Sequence, residues 1–281
     1  MAINLATKFM SKTSDLVKAR RKSEKFTNKD WSWDGVNAIS VYTLTDPTMG
    51  AYDPTAAANR YGTPSEVQDT VQLFTLTRDR AWTKLIDKKN FQDTMMIRKP
   101  GAYLAQATKN VLIPEIDAYI FATLGTAGAL NTGARSTAIV AAGATTSANA
   151  YSNFLLFTAN ITDNEAPEEG RVAAMTANYY NLLKQGGFVL NSDLAYKDRK
   201  SGDLGTVDNC EIVIVPSSRM PASTDLIISH PSLAVAPEKL VDYTLHSNPP
   251  GVSGDLLEYR HRYDCFIDLN KIMSLGIHKT I

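Results

Sequence analysis

GAYLAQATKNVLIPEIDAYIFATL, residues 101–124, decides the fold. Leu104, Thr108, Val111, Leu112, Ile116, Tyr119, Ile120 and Leu124 recur at steps of three and four, one face of a long amphipathic helix. At about 1.5 Å per residue the rod is about 36 Å long. Burying its large apolar side chains contributes about 1.5–3 kcal/mol apiece. Ordering each residue costs about 1–2 kcal/mol, so the rod needs a partner surface. Pro114 lies inside the pattern, where it removes one backbone donor and crowds the carbonyl of Asn110. The stripe resumes in phase at Ile116, so a bend is expected there and not a stop. Glu115 and Asp117 fall in the first turn after Pro114, and both are expected to be solvated carboxylates near a helix start.

Outward from this helix, the chain of 281 residues has room for one large or two ordinary domains. Its 44% hydrophobic and 21% charged residues place it among globular and not disordered chains. Twenty-nine basic and 29 acidic residues cancel, so no global field selects nucleic acid or membrane. Cys210 and Cys265 lack any paired spacing and are expected to be buried free thiols, not zinc ligands or a disulfide. The first residues lack the apolar core of a secretory signal, and no run of 18 apolar residues exists. An intracellular site of synthesis and no membrane partner are expected, which makes the sequon at Asn160 a chance match.

N-terminal to the helix, residues 1–30 form a basic arm. Lys8, Lys12, Lys18, Arg20, Arg21, Lys22, Lys25 and Lys29 face only Asp15, Glu24 and Asp30. Leu5, Phe9 and Met10, with Leu16 and Val17 further on, supply a weak apolar patch. The arm either packs along a neighbouring subunit, the favoured reading, or faces a polyanion. It ends in DWSWDG (30–35), with Trp31 and Trp33 alternating. VNAISVYTLT (36–45) reads as a strand, and 66–87 as a second, with Val71 and Leu73 on one side and Phe74, Leu76 and Trp82 on the other. Between them lies turn chemistry: Asp46-Pro47, Gly50, Asp53-Pro54, Gly62 and Pro64. The result is a long hairpin with a loose tip, marginal by itself in water. Both oddities vanish if the hairpin projects onto another copy of the chain.

C-terminal to the helix, a Gly-, Ala- and Thr-rich linker carries one short strand at 137–141. A second module follows: a helix over 150–164 burying Phe154, Leu155, Phe157 and Ile161, then a strand at 171–176 and a helix at 177–185 stopped by Gly186-Gly187. CEIVIVPSS (210–218) reads as a central strand and DLIISHPSLAVAP (225–237) as another strand with a small-residue segment. Residues 255–269 supply a strand-pair element and the chain closes on a last strand.

No phosphate loop, dinucleotide fingerprint, nucleophile elbow or HExxH is present. His230, His246, His261 and His278 have no ligand spacing and are expected to be structural. Glu168-Glu169 read as a solvated turn. Arg78 and Arg80 are expected to be solvated or to form intersubunit ion pairs. No catalytic residue, cofactor or metal is expected, and the chain is not read as an enzyme.

The order of these parts resembles the major capsid proteins of tailed bacteriophages with the HK97 fold. The likeness rests on VLIPEIDAYIFATL (111–124), APEEGRVAAMTANYYNLL (166–183), KSGDLGTVDNCEIVIVPSS (200–218) and HPSLAVAP (230–237). It implies an α+β fold with an N-terminal arm (1–34), an extended hairpin loop (35–80) and a peripheral domain (81–128 and 238–281) holding the spine helix. An axial domain (129–237) lies between them. It further implies hexamers and pentamers in a virion shell assembled in the host cytoplasm around double-stranded DNA, with a portal and a separate scaffolding protein. The candidate intersubunit contacts are Phe9, Leu16, Trp31, Trp33, Tyr52, Tyr61, Arg78 and Arg80. Two other readings compete: an encapsulin-like nanocompartment shell, told apart by what the lumen holds, and a soluble α+β enzyme, told apart by turnover of the dispersed monomer.

Overall fold

The computed structural model describes residues 20–31, 33, 37–93, 100–128, 140–142, 144–186 and 205–280. Its organising element is a helical rod in three joined pieces: α2 (Pro100–Ala107; α1 is Lys88–Asp93), a π-helical turn (Thr108–Leu112) and α3 (Ile113–Ala127). The rod does not break at Pro114, since Leu112 and Ile113 keep helical dihedrals. The Ile113 N–H instead donates to the carbonyl of Thr108, five residues back. Widening the turn just before Pro114 accommodates the missing donor and relieves the crowding against Asn110. The inserted residue also rotates the apolar stripe by about 100°. Val111, expected on the buried face, is therefore exposed, while Asn110 turns inward. Beyond the π turn, Ile116, Ile120, Phe121 and Leu124 are buried in the core.

That core lies against a six-stranded sheet in the order β5–β14–β9–β6–β8–β7. The strands are β5 (Val140–Ala142), β6 (Val172–Thr176), β7 (Thr206–Val207), β8 (Cys210–Val215), β9 (Thr224–Ser229) and β14 (Gly276–Lys279). Alternation divides the two faces. Val172, Ala174, Val213, Val215, Ile227 and Ile277 pack toward α3. Ala173, Met175, Leu226 and Ile228 pack toward α4 (Ala150–Asp163) and α5 (Ala177–Gln185) through Phe154, Phe157, Ile161, Tyr179 and Leu183. Leu155, expected in this layer, is only half-buried. Thr176 caps α5 by accepting from the Tyr179 N–H at 3.2 Å. Gly186 ends it where a Cβ would lie 2.1 Å from the Ser147 carbonyl oxygen.

Two features depart from the sequence reading. β8 is fifth of six strands and pairs with β7 over two residues only, so the central strands are β9 and β6. The closing strand β14, expected in the first module, inserts between β5 and β9 of the second. The chain end thus stitches the modules together.

A second sheet, β11 (Glu238–Ser247), β12 (Gly254–Tyr263) and β4 (Asp79–Asp87), is antiparallel. It meets the rod through Trp82 against Tyr103 and Tyr263 against Tyr119, both with rings 5.8 Å apart. The stretch 66–87 is consequently not one strand. It breaks at residues 76–78, where β3 (Asp69–Thr75) of the hairpin hands over to β4. Among the described residues β2 (Ala38–Leu44) pairs with β3 alone. A small sheet of β1 (Thr27–Asn28), β10 (Ala234–Val235) and β13 (Phe266–Ile267) holds the incoming N-terminal segment. Among the described residues no helix is long and apolar enough to cross a membrane.

Candidate assembly interface

The register of the β2–β3 hairpin sorts its side chains onto two faces. Ile39 opposes Phe74, Val41 opposes Gln72 and Thr43 opposes Thr70; Ser40 opposes Leu73 and Tyr42 opposes Val71. The first set faces the body. Gln72 Oε1 accepts from the Leu269 N–H at 3.2 Å, and Asn270 Nδ2 donates to Thr43 Oγ1 at 2.6 Å. The second set faces away: Tyr42, Leu44, Val71 and Leu73 are 67, 68, 53 and 66% exposed. Four large apolar side chains in register on one open face of a ribbon are a surface that folding has left uncovered.

The tip, residues 45–68, continues this exposure with Met49, Tyr52, Tyr61 and Val67. It is more ordered than the loose loop expected. The Asp53 carboxylate accepts from the N–H and hydroxyl of Thr55, and those bonds hold its pKa below the ordinary value. The Asp53 N–H donates to the Arg60 carbonyl at 3.1 Å, and Tyr52 and Tyr61 meet edge-on at 4.9 Å. Asn59 and Gly62 adopt positive φ to close the turn. The tip is therefore a small closed loop presenting an aromatic pair.

The root is packed. Four rings stack in series, Trp31 on Phe74, Phe74 on Phe266 and Phe266 on Trp33, at 5.4, 5.1 and 5.1 Å. The buried Asp264 carboxylate accepts from the N–H and hydroxyl of Thr77, at 2.9 and 3.1 Å, and from the hydroxyl of Tyr119 at 2.5 Å. Burial and then Asp264 push the Tyr119 phenol up, which keeps it a donor. Arg262 donates to the carbonyl of Leu76 at 3.0 Å and to the side chain of Asn37.

Of the sequence-derived contact residues, Phe9 and Leu16 lie outside the described residues. Trp33 is buried on Phe266 in its own chain, and Trp31 stacks on its own hairpin. Tyr52 and Tyr61 are exposed together at the tip. Arg78 and Arg80 converge on Glu115 at 2.9 and 2.6 Å, and the Arg78 guanidinium lies 4.1 Å over the Tyr119 ring. Glu115 is thus a partner for the hairpin root and not a solvated acid.

Asp117 departs furthest from expectation. It is fully buried and bonded to Arg219 at 2.8 Å and to the N–H groups of Lys22 and Ser23. Nothing in the helix pattern signals this, because the partners come from segments 95 residues earlier and 102 later. The end of the expected arm belongs to the body of the subunit: Phe26 is buried edge-on against Phe121 at 5.4 Å, Arg21 pairs with Glu238 at 2.5 Å, and Lys25 pairs with Glu211.

Burial pushes the Cys210 thiol up to about 11 and the Cys265 thiol up to about 12, so both are inert at neutral pH. His278 is buried, and burial lowers its pKa; His261 is buried 3.7 Å from Glu238, an ion-pair distance beyond hydrogen bonding. Among the described residues no group of three or more His, Cys, Asp or Glu is placed to hold a metal ion.

No protein-family model and no curated sequence matches the chain. Solved structures do. One from Mycobacterium phage Che8 superposes with a TM-score of 0.79 at 18% identity, over 98% of this chain and 96% of that one. The asymmetric unit of the bacteriophage PhiM1 mature capsid gives 0.75 at 13%, over 99% and 92%. The capsid of a native GTA particle gives 0.70 at 13%, over 98% and 95%. The chain therefore has the α+β fold of phage capsid structures along nearly its whole length.

Proposed function

We propose that the chain is the major capsid protein of a tailed phage, an HK97-type subunit that self-assembles into the icosahedral shell around double-stranded DNA. The observation that carries this reading is the fold shared with phage capsid structures over 98–99% of the chain. The hairpin supports it independently, since an exposed apolar face on a packed root suits a contact between copies better than a site for chemistry. In this reading the extended loop is the hairpin of 35–80, and the peripheral domain joins 81–128 to 238–281. The axial domain is 129–237, with the last strand crossing into its sheet. Tyr52 and Tyr61 at the tip, with Tyr42, Leu44, Val71 and Leu73 on the outer face, make the intersubunit contact. Hexamers and pentamers form in the host cytoplasm with a separate scaffolding protein and a portal.

Electron microscopy of the protein expressed with its genomic neighbours, combined with analysis of particle contents, tests this. Closed particles holding nuclease-protected DNA are expected. Particles filled with a cargo protein would favour the encapsulin-like nanocompartment, and a dispersed monomer that turns over a substrate would favour the enzyme.

A further inference from the structure

We propose that residues 20–28 are a strap locked onto the spine helix by the buried Asp117–Arg219 pair, which holds the strap against the body of the subunit. Asp117 lies one turn into α3, fully buried, and the Arg219 side chain is 5% exposed. The carboxylate accepts from Lys22 N–H at 3.0 and 3.2 Å, from Ser23 N–H at 3.1 Å and from Arg219 Nη1 at 2.8 Å. The same Nη1 donates to the Arg20 carbonyl oxygen at 3.0 Å. One ion pair therefore grips a carbonyl and two consecutive amides of the strap.

The chemistry explains why a charge sits where packing alone would accept apolar groups. Buried ion pairs seldom add net stability, and their best-attested use is to fix registry. Strand pairing fixes the strap at Thr27 and Asn28, and the ion pair holds its other end. Arg20-Arg21-Lys22 is chemically repetitive, and between Arg20 and Thr27 no strand pairing holds the segment. A slip of one residue would withdraw Phe26 from Phe121, Arg21 from Glu238 and Lys25 from Glu211. Backbone amides are alike at every residue, so the ion pair holds the strap down while Phe26, Arg21 and Lys25 set its register. Arg21 and Lys25 are consequently spent on acids of their own subunit.

The lock does not depend on the shell reading, so it is tested on dispersed subunits by hydrogen exchange and trypsin. Asp117→Asn should exchange the Lys22 and Ser23 amides at least tenfold faster and open cleavage after Arg21, Lys22 and Lys25. Amides of β6 and β9 should exchange as in the wild type. Arg219→Lys keeps the charge but not the bridging geometry, and should loosen the same residues by a smaller factor. Unchanged protection of Lys22 and Ser23 in both variants would overturn the proposal, as would equal loosening of β6 and β9. If Asp117→Asn does not fold, Arg219→Lys decides by the same criterion. Subunits with an intact lock that never form particles would overturn the shell reading and leave the lock standing.

Discussion

The six-stranded sheet and the hairpin are written in the same alphabet, alternating β-branched, aromatic and small residues, yet they end in opposite states. In β6 all five residues are buried, because α3 covers one face and α4 and α5 the other. In β2 exposure alternates strictly, and the open face carries Tyr42 and Leu44. The difference lies in what each strand can reach within its own chain. A sheet closed between helix layers spends its apolar surface on folding. A ribbon anchored, among the described residues, only along its root and inner face leaves its outer face open.

The largest effect on stability is therefore expected in the sheet layer. Phe121→Ala removes a fully buried ring from the α3 face and should cost about 3–5 kcal/mol in denaturant unfolding. Tyr42→Ser with Leu73→Ser should stay within about 0.5 kcal/mol per site while sharply lowering particle yield. A double variant as unstable as Phe121→Ala would show that the outer face belongs to the fold.

Replacing residues 47–63 with an Asn-Gly turn removes the tip and leaves the root in place. The subunit should keep its unfolding midpoint, because the root contacts of Thr77, Gln72 and Phe74 are untouched. Sedimentation should find no closed particles, and normal shells would refute an intersubunit role for the tip.

The spine helix offers a smaller effect. Pro114→Ala restores a backbone donor worth up to about 3 kcal/mol in a helix interior. It also removes the cause of the π turn, so Asn110 and Val111 would have to exchange environments. Unchanged or slightly raised helicity by circular dichroism is expected, with a stability gain well below the intrinsic figure.

The smallest concerns pH. Glu238 is held at about 2, against an ordinary 4.5, first by His261 and further by Arg21, with burial opposing. A depressed carboxylate stabilises the fold above its unfolded pKa and loses that contribution as pH falls through the folded one. Stability should therefore decline between about pH 4.5 and 2, and Glu238→Gln should flatten that part of the curve.

Local signals carry most of the architecture. The helices at 150–163 and 177–185, the strand at 172–176 and the pairing of 38–44 with 69–75 follow from periodicity and turn chemistry. What stays hidden is non-local. The insertion of β14 beside β9 joins residues about fifty apart in sequence, and no pattern in GIHK announces it. Trp33 reads as an interface residue because a tryptophan in a polar stretch lacks a visible partner; that partner, Phe266, lies in the last quarter of the chain. Asp117 looks like any acid in a first helical turn until the strap folds back over it. The π turn alone has a local signal, Pro114 with Asn110 four residues before it, but the phase shift needs the geometry to be seen.

In the proposed shell, the outer face of the hairpin is covered by another copy of the chain. A three-dimensional reconstruction of assembled particles tests it most directly, read at Tyr42, Leu44, Val71 and Leu73. These side chains should be buried against a neighbouring subunit while keeping the β2–β3 register of the isolated chain. Particles in which the four residues face solvent would contradict the claim.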